Sequence, residues 1–290
     1  MSEAQRKSSA LLMVIHNHTP DWESLKCALR QVDVVALIDN HSDAAVIVSL
    51  REFKRTHEAR CVLVENGENL GISRAYNNAV RQLQQQGVYW LHFVDHDAVF
   101  DESLFAEARA LWNALEASGA HVGMVVPIVS DDPLSFKKPL GAREKYSMVR
   151  SAITSGIMTN IDIFNGLHGF DETFFVDGAD IDLTLRLIRS GYSIFRINRV
   201  LIFQGFGSNV EEQGTMLHIL AKFTAMTSRV MLALGFVNAV QTTRHHYPTD
   251  RQDVQSETSE RINVSQGRLF LRVYQGAAHR FVEAIVRFVR

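Results

Sequence analysis

Asp95-His96-Asp97 closes an apolar run, Val88 to Val94, with two carboxylates one residue apart. The run has the length and the aromatic, β-branched content of a buried strand. In an extended chain alternate side chains share a face, so Asp95 and Asp97 would point the same way where the strand ends. Hard oxygen ligands of that kind suit Mg2+ or Mn2+, and a cation so held can carry a diphosphate. Taken alone, Asp-x-Asp after a strand is more often an ordinary loop. Three further stretches bear on the choice. Asp39-Asn40 offers a carboxylate and an amide that could pair with the edge of a nucleobase, although such pairs are also common in strand-end turns. Asn69-Leu70-Gly71 opens a helix whose free N–H groups could receive phosphate oxygens, with Arg74 one turn inside to add charge. Capping by Asn69 accounts for the same residues equally well. Asp177, Asp180 and Asp182 gather at the start of another helix. Asp180 is the candidate general base, able to take a proton from an attacking hydroxyl, and Asp177 could reach the same pocket. Carboxylates there also complement the helix dipole, so at least one of the three is expected to be structural.

Positioning these residues falls to a repeating pattern of strands and helices. Leu11 to Ile15 is a short, wholly apolar run, as in a strand covered on both faces. Trp22 to Arg30 has apolar residues at helical spacing, Val32 to Ile38 reads as a strand, Val46 to Thr56 as a helix and Cys61 to Val64 as a third strand. Ile72 to Gln86 is a helix with Ala75, Ala79, Val80 and Leu83 near one face, followed by the Val88 strand. Such strand-loop-helix repeats imply right-handed crossovers and a mainly parallel sheet. Loops that follow parallel strands gather at one edge, where open α/β sheets bind ligands. Beyond lie a helix over Glu102 to Ala117 and a strand over Val122 to Val129, broken by Pro127. The polar stretch Asp131 to Met148 has the length of a substrate lid. A strand at Ile153 to Met158, a short helix from Ile161, a helix over Leu183 to Ser190 and a strand over Tyr192 to Phe203 follow.

Composition excludes several classes. The formal net charge of -2 gives no argument for a nucleic-acid partner. Only Cys27 and Cys61 are present, which rules out a disulfide framework and fits a reducing, cytoplasmic setting. No apolar run approaches the roughly 20 residues of a membrane-spanning helix. His16, His18, His41, His92 and His96 lie near strand ends without zinc-type spacing, so hydrogen-bonded loop histidines are expected.

The ordered combination is far more specific than any of its parts. Asp39-Asn40-His41-Ser42, Glu65-Asn66-Gly67-Glu68-Asn69-Leu70-Gly71 running on to Asn77, Asp95-His96-Asp97, and Gly169-Phe170-Asp171-Glu172 running on to Leu183 resemble the family 2 glycosyltransferases. The phrasing is most similar to bacterial rhamnosyltransferases of O-antigen and related surface glycans, and the likeness spans Leu11 to Ser208. The resemblance implies an α/β nucleotide-diphospho-sugar transferase (GT-A type) fold with a Rossmann-like sheet. It also implies an inverting displacement with a divalent cation, Mg2+ or Mn2+, under the diphosphate. By position Asp39, with Asn40, would contact the base, and Asn69, Gly71 and Arg74 would lie by the nucleotide and phosphates. Asp95 and Asp97 would hold ribose and metal, Asp177 matches an aspartate of rhamnosyltransferase-type members, and Asp180 would be the base. Two positions depart from the pattern: Ala179 stands where many relatives have Glu, and Gln204 where many have a metal-binding His. Gln is a weaker ligand than imidazole, which bears on metal dependence.

The chain divides into a catalytic domain, residues 1–209, and a helical extension, residues 210–290. The extension carries an amphipathic pattern from Met216 to Val240 and a basic amphipathic one from Arg268 to Arg290. A basic helix of that kind suits peripheral contact with the anionic inner face of the cytoplasmic membrane, where a lipid-linked glycan acceptor would be met. A homodimer interface or packing on the core accounts for it as well. The expected activity is transfer of a sugar, rhamnose by resemblance, from a nucleotide-diphosphate donor to a growing surface glycan. The alternative is a non-catalytic sugar-nucleotide-binding relative, which Ala179 and Gln204 keep open.

Overall fold

The computed structural model describes residues 7–136 and 145–205. It opens with β1 (Ser8–Ile15), α1 (Trp22–Ala28), β2 (Val34–Asp39), α2 (Ala44–Thr56), β3 (Cys61–Glu65), α3 (Gly71–Gln85) and β4 (Val88–Phe93). β1 pairs in parallel with both β2 and β4, and β2 with β3, as helix-bearing crossovers require. Ile15 sits opposite Asp39, and Asp39 opposite Glu65, so these strands end level with one another. α3 packs across β1, β2 and β4. β1 is buried from Ser9 to Ile15, which is why its sequence is a continuous apolar run rather than an alternating one.

The second half consists of β5 (Val99–Phe100), α4 (Leu104–Ala117), β6 (Val122–Ser130), β7 (Tyr146–Val149), β8 (Ile157–Asn160), α5 (Ile161–Gly166), α6 (Ala179–Arg189) and β9 (Ser193–Phe203). Among the described residues nine strands form one sheet in the order β3-β2-β1-β4-β8-β6-β9-β5, with β7 pairing β9. This half is mixed rather than mainly parallel. β8 runs antiparallel to β4 and β6, and β5 and β7 run antiparallel to β9, whereas β6 and β9 are parallel. β8 is reached from β7 without a helix, so no crossover obliges it to be parallel. Pro127 does not end β6. The β6–β9 register shifts around it, and its ring lies against Gly156, where an added Cβ would come within 2.4 Å.

The 131–148 stretch includes the start of β7, and residues 137–144 of it lie outside the described residues. So do the expected helices at 216–240 and 268–290 and the whole 210–290 extension. No helix of the described residues is long and apolar enough to cross a membrane.

Candidate functional site

The first strand half ends in a row of polar loops, and the Asp95 loop lies among them. β4 stops at Phe93, Val94 N–H still bonds Leu12 O at 3.0 Å, and residues 95–98 form a turn closed by Ala98 N–H on Asp95 O at 3.2 Å. Strand alternation therefore does not place Asp95 and Asp97; the turn does. Asp95 N–H reaches Ser155 Oγ at 3.4 Å, and its Oδ2 accepts from Gln204 Nε2 at 3.1 Å. Gln204 follows β9 directly and is held by its own N–H on Ser130 O at 3.0 Å. Asp95 Oδ1 and Gln204 Oε1 are both buried and, among the described residues, accept no hydrogen bond. Burial pushes the Asp95 carboxyl up to about 6, the Gln204 amide draws it back, and the charges of Asp97 and Asp180 push it up further. The charges of Asp97 and Asp180 thus both act on the Asp95 carboxyl, although 85 residues separate Asp95 from Asp180.

Asp180 is the second residue of α6, which follows a loop from α5 rather than a strand. α6 begins earlier than its apolar pattern, because Gly178 before it adopts φ +91°, a conformation that turns the chain and is easy only for glycine. Asp180 is half-buried and its Oδ1 accepts from Ile181 N–H at 2.8 Å, while Asp177 is exposed on the turn that leads in. Asp182 is the structural member of the three. It is buried against Arg186, with Oδ2 to Nε at 2.7 Å and to Nη2 at 2.6 Å.

The start of α3 is wired into the protein. Leu70 N–H donates to Asn40 Oδ1 at 3.0 Å, Gly71 N–H to Asn69 Oδ1 at 3.1 Å, and Ile72 N–H to Phe175 O at 2.6 Å. Asn40 also donates to Asn69 Oδ1 at 2.7 Å and accepts from Asn66 Nδ2 at 3.2 Å. Three N–H groups at the start of α3, those of Leu70, Gly71 and Ile72, are therefore met within the protein, and Asn69 accepts from Gly71 N–H although the residue that caps the helix is Leu70. Arg74 points its Nε at Glu172 Oε2, 3.2 Å away, rather than at an open cleft. Asp39 is buried and its Oδ1 accepts from Ser42 N–H at 3.1 Å, a strand-end turn. Asn40 and Gly71 are thus joined through Asn69, while Asp39 is held by Ser42 and Arg74 by Glu172.

Of the histidines expected in hydrogen-bonded loops, His16 bonds and His18 and His96 stack, whereas His92 lies inside β4. His16 Nδ1 lies 3.0 Å from Asn40 O, and the rings of His18 and His96 stack at 4.6 Å. His92 is buried in β4 edge-on to Phe105, and burial pushes its pKa down to about 3, so it is neutral. Among the described residues no three His, Cys, Asp or Glu side chains are grouped to hold a metal. A Mg2+-type ion needs only one or two carboxylates besides substrate phosphates and water. The orphaned oxygens of Asp95 and Gln204, with the Asp97 carboxylate beside them, are hard donors that fit such an ion. Sequence reading missed Ser155, which meets Asp95 N–H but carries no distinctive motif, gave Asn66 no role beyond its place in the 65–71 stretch, and did not foresee the Gln204–Asp95 bond.

A family model described as Glycosyl transferase family 2 matches residues 22–176, just over half of the chain. The chain is 22% identical over 216 residues to dTDP-rhamnosyl transferase RfbF of Shigella flexneri, covering 69% of this chain and 70% of that one. Among solved structures it resembles GalNAc-T7 with UDP, GalNAc and Mn2+ at TM-score 0.56 and 11% identity, covering 70% of this chain and 45% of that one. It also resembles S. aureus TarS 1-349 in complex with UDP at TM-score 0.51 and 13% identity, covering 69% of this chain and 61% of that one. These two likenesses speak for the fold, and the chain spans less than two thirds of either solved chain.

Proposed function

The chain belongs to glycosyl transferase family 2 and has a GT-A fold, and from that premise we propose an inverting enzyme that moves rhamnose from a nucleotide-diphosphate donor to a growing, lipid-linked surface glycan. The observation that supports the chemistry is the buried Asp95 carboxyl, one oxygen of which accepts no hydrogen bond among the described residues and on which the charges of Asp97 and Asp180 both act. The sugar rests on the likeness to a dTDP-rhamnosyl transferase. The nucleotide-diphosphate donor is supported by the UDP-bound structures of similar fold.

In this reading Asp180 accepts the proton of the acceptor hydroxyl as its oxygen attacks the anomeric carbon from the face opposite the diphosphate. One C–O bond forms while the C–O bond to the diphosphate breaks, and the leaving electron pair departs on the nucleoside diphosphate. Asp97, Asp95 and the Gln204 carbonyl would hold a divalent cation, which when bound offsets the charge of that leaving group. Asp95 would also meet the ribose, Asp177 the donor sugar, and Asp39 and Asn40 the base. Asn69, Gly71 and Arg74 act on the donor by shaping the wall of its cleft. The 1–209 and 210–290 division, peripheral membrane contact through 268–290 and a homodimer belong to the same proposal.

Release of nucleotide diphosphate from dTDP- and UDP-sugars with Mg2+ or Mn2+ tests it, with Asp180→Asn alongside. Turnover is expected to fall about 10²- to 10⁴-fold in the variant while donor affinity holds. Nucleotide-sugar binding without release under any metal would favour the non-catalytic relative.

A further inference from the structure

The segment that delivers Asp180 does not hold itself in place; α3 holds it at both ends. At the near end Asn77, buried in mid-helix, grips the backbone of Phe170: its Nδ2 donates to Phe170 O at 2.8 Å and its Oδ1 accepts from Phe170 N–H at 3.0 Å. The same Nδ2 lies 3.2 Å from Glu172 Oε1. Tyr76 stacks on Phe170 at 5.6 Å, and its hydroxyl reaches the carbonyl of Val94, the residue before Asp95, at 3.3 Å. At the far end Phe175 O accepts from Ile72 N–H at 2.6 Å. The loop comes so close there that a Cβ on Gly71 would lie 2.5 Å from Phe175 O, and Gly71 is at φ +74°. Between these ends the loop is braced internally, Thr173 N–H and Oγ1 both bonding Asp171 Oδ1, at 2.9 and 2.8 Å.

We propose that Asn77 is a positioning residue for the Asp180 base, holding the 170–175 segment so that Asp180 faces Asp95 across the pocket; the inference rests on the reading of Asp180 as base. An amide is suited to the task because one short side chain offers a donor and an acceptor to the N–H and C=O of a single residue. Asp is nearly isosteric but has no donor, so it would set a carboxylate oxygen against Phe170 O and against Glu172. Because Tyr76 ties the same helix to the chain just before Asp95, α3 sets the separation of the donor-side and acceptor-side carboxylates. Misplacement by about 1 Å is enough to cost on the order of 10²-fold in rate.

The test is made on the full chain with the dTDP- or UDP-sugar that it turns over best, water standing in for the acceptor. Asn77→Asp should lower kcat about 10- to 100-fold per folded molecule, with KM and Kd for the donor within about threefold. Combined with Asp180→Asn it should cause no further loss, because both act through one group. Full kcat in Asn77→Asp beside a crippled Asp180→Asn overturns the inference alone, and so do losses that add. An unimpaired Asp180→Asn overturns the base reading instead. Hydrogen exchange reads the clamp without a donor: amides 170–182 should exchange at least about tenfold faster in Asn77→Asp, with β1 to β3 unchanged. Equal rates overturn it. Should Asn77→Asp fail to fold, Asn77→Ala, which removes both bonds to Phe170 without adding a charge, is held to the same outcomes.

Discussion

At the ends of β2 and β3 the amides of Asn40, Asn66 and Asn69 bond one another and the start of α3. At the ends of β4 and β9, Asp95 and Gln204 share one hydrogen bond and leave two buried oxygens that accept none. Both groups are polar, and both follow strands. The first is satisfied within the protein and stabilises it. The second is left with desolvated acceptors among like charges, an arrangement a folded chain retains against its own stability. Between these two groups, unmet acceptors among like charges, rather than polarity, mark the place for a ligand.

Three substitutions would sharpen or break that contrast. The largest effect is expected from Asp97→Ala, which should weaken Mg2+-dependent binding of a UDP or dTDP probe at least about tenfold in titration calorimetry, with no change in EDTA. Superimposable isotherms would remove Asp97 from the cation. Asn40→Ala should destabilise by about 1 kcal/mol in chemical denaturation, since the Leu70 N–H and the Asn66 and Asn69 amides lose a partner but can still reach solvent. A large loss of nucleotide affinity without loss of stability would mean that the amides serve the base and not the fold. The smallest effect belongs to Arg74→Ala. Its ion pair with Glu172 is solvent-exposed, so stability should change by less than about 1 kcal/mol and donor affinity by less than about threefold. A tenfold loss of affinity would return Arg74 to the phosphates.

What could be read from the chain, and what could not, follows the same division. The core of α3 was legible because Ala75, Ala79, Val80 and Leu83 recur at helical spacing and are all buried. β1 and β4 were legible as apolar runs. α6 was placed from Leu183, where its apolar period starts, and its first turn was missed because a glycine conformation, not a pattern, begins it. β5 and β7 escaped notice for a different reason. Each is short and is defined by antiparallel pairing with β9, up to about a hundred residues on, and Tyr146 and Met148 of β7 are exposed. In the site, residue types announced Asp95, Asp97 and Asp180, but their partners did not announce themselves. Gln204 lies 109 residues from Asp95, and nothing local says that its amide turns toward it. Asn69 and Gly71 looked the same whether they served phosphate or the helix, because the N–H groups that decide between the two are satisfied by Asn69 itself and by Asn40 and Phe175, set by tertiary structure.

The most direct test of a pocket held against stability is the unfolding free energy of Asp95→Asn and wild type, measured in EDTA from pH 4 to pH 8. The folded-state pKa of Asp95, about 6, lies above the ordinary carboxyl value of 3.8, so the folded protein binds this proton more tightly than the unfolded chain. Its contribution is favourable below 3.8 and is lost as pH rises through 6; His92 titrates alike in both proteins and cancels. Asp95→Asn should therefore be more stable than wild type at pH 8, by on the order of 2–3 kcal/mol, with the advantage fading toward pH 4. A variant less stable than wild type at pH 8 would mean that the Asp95 carboxylate is well paired, and the account would be contradicted.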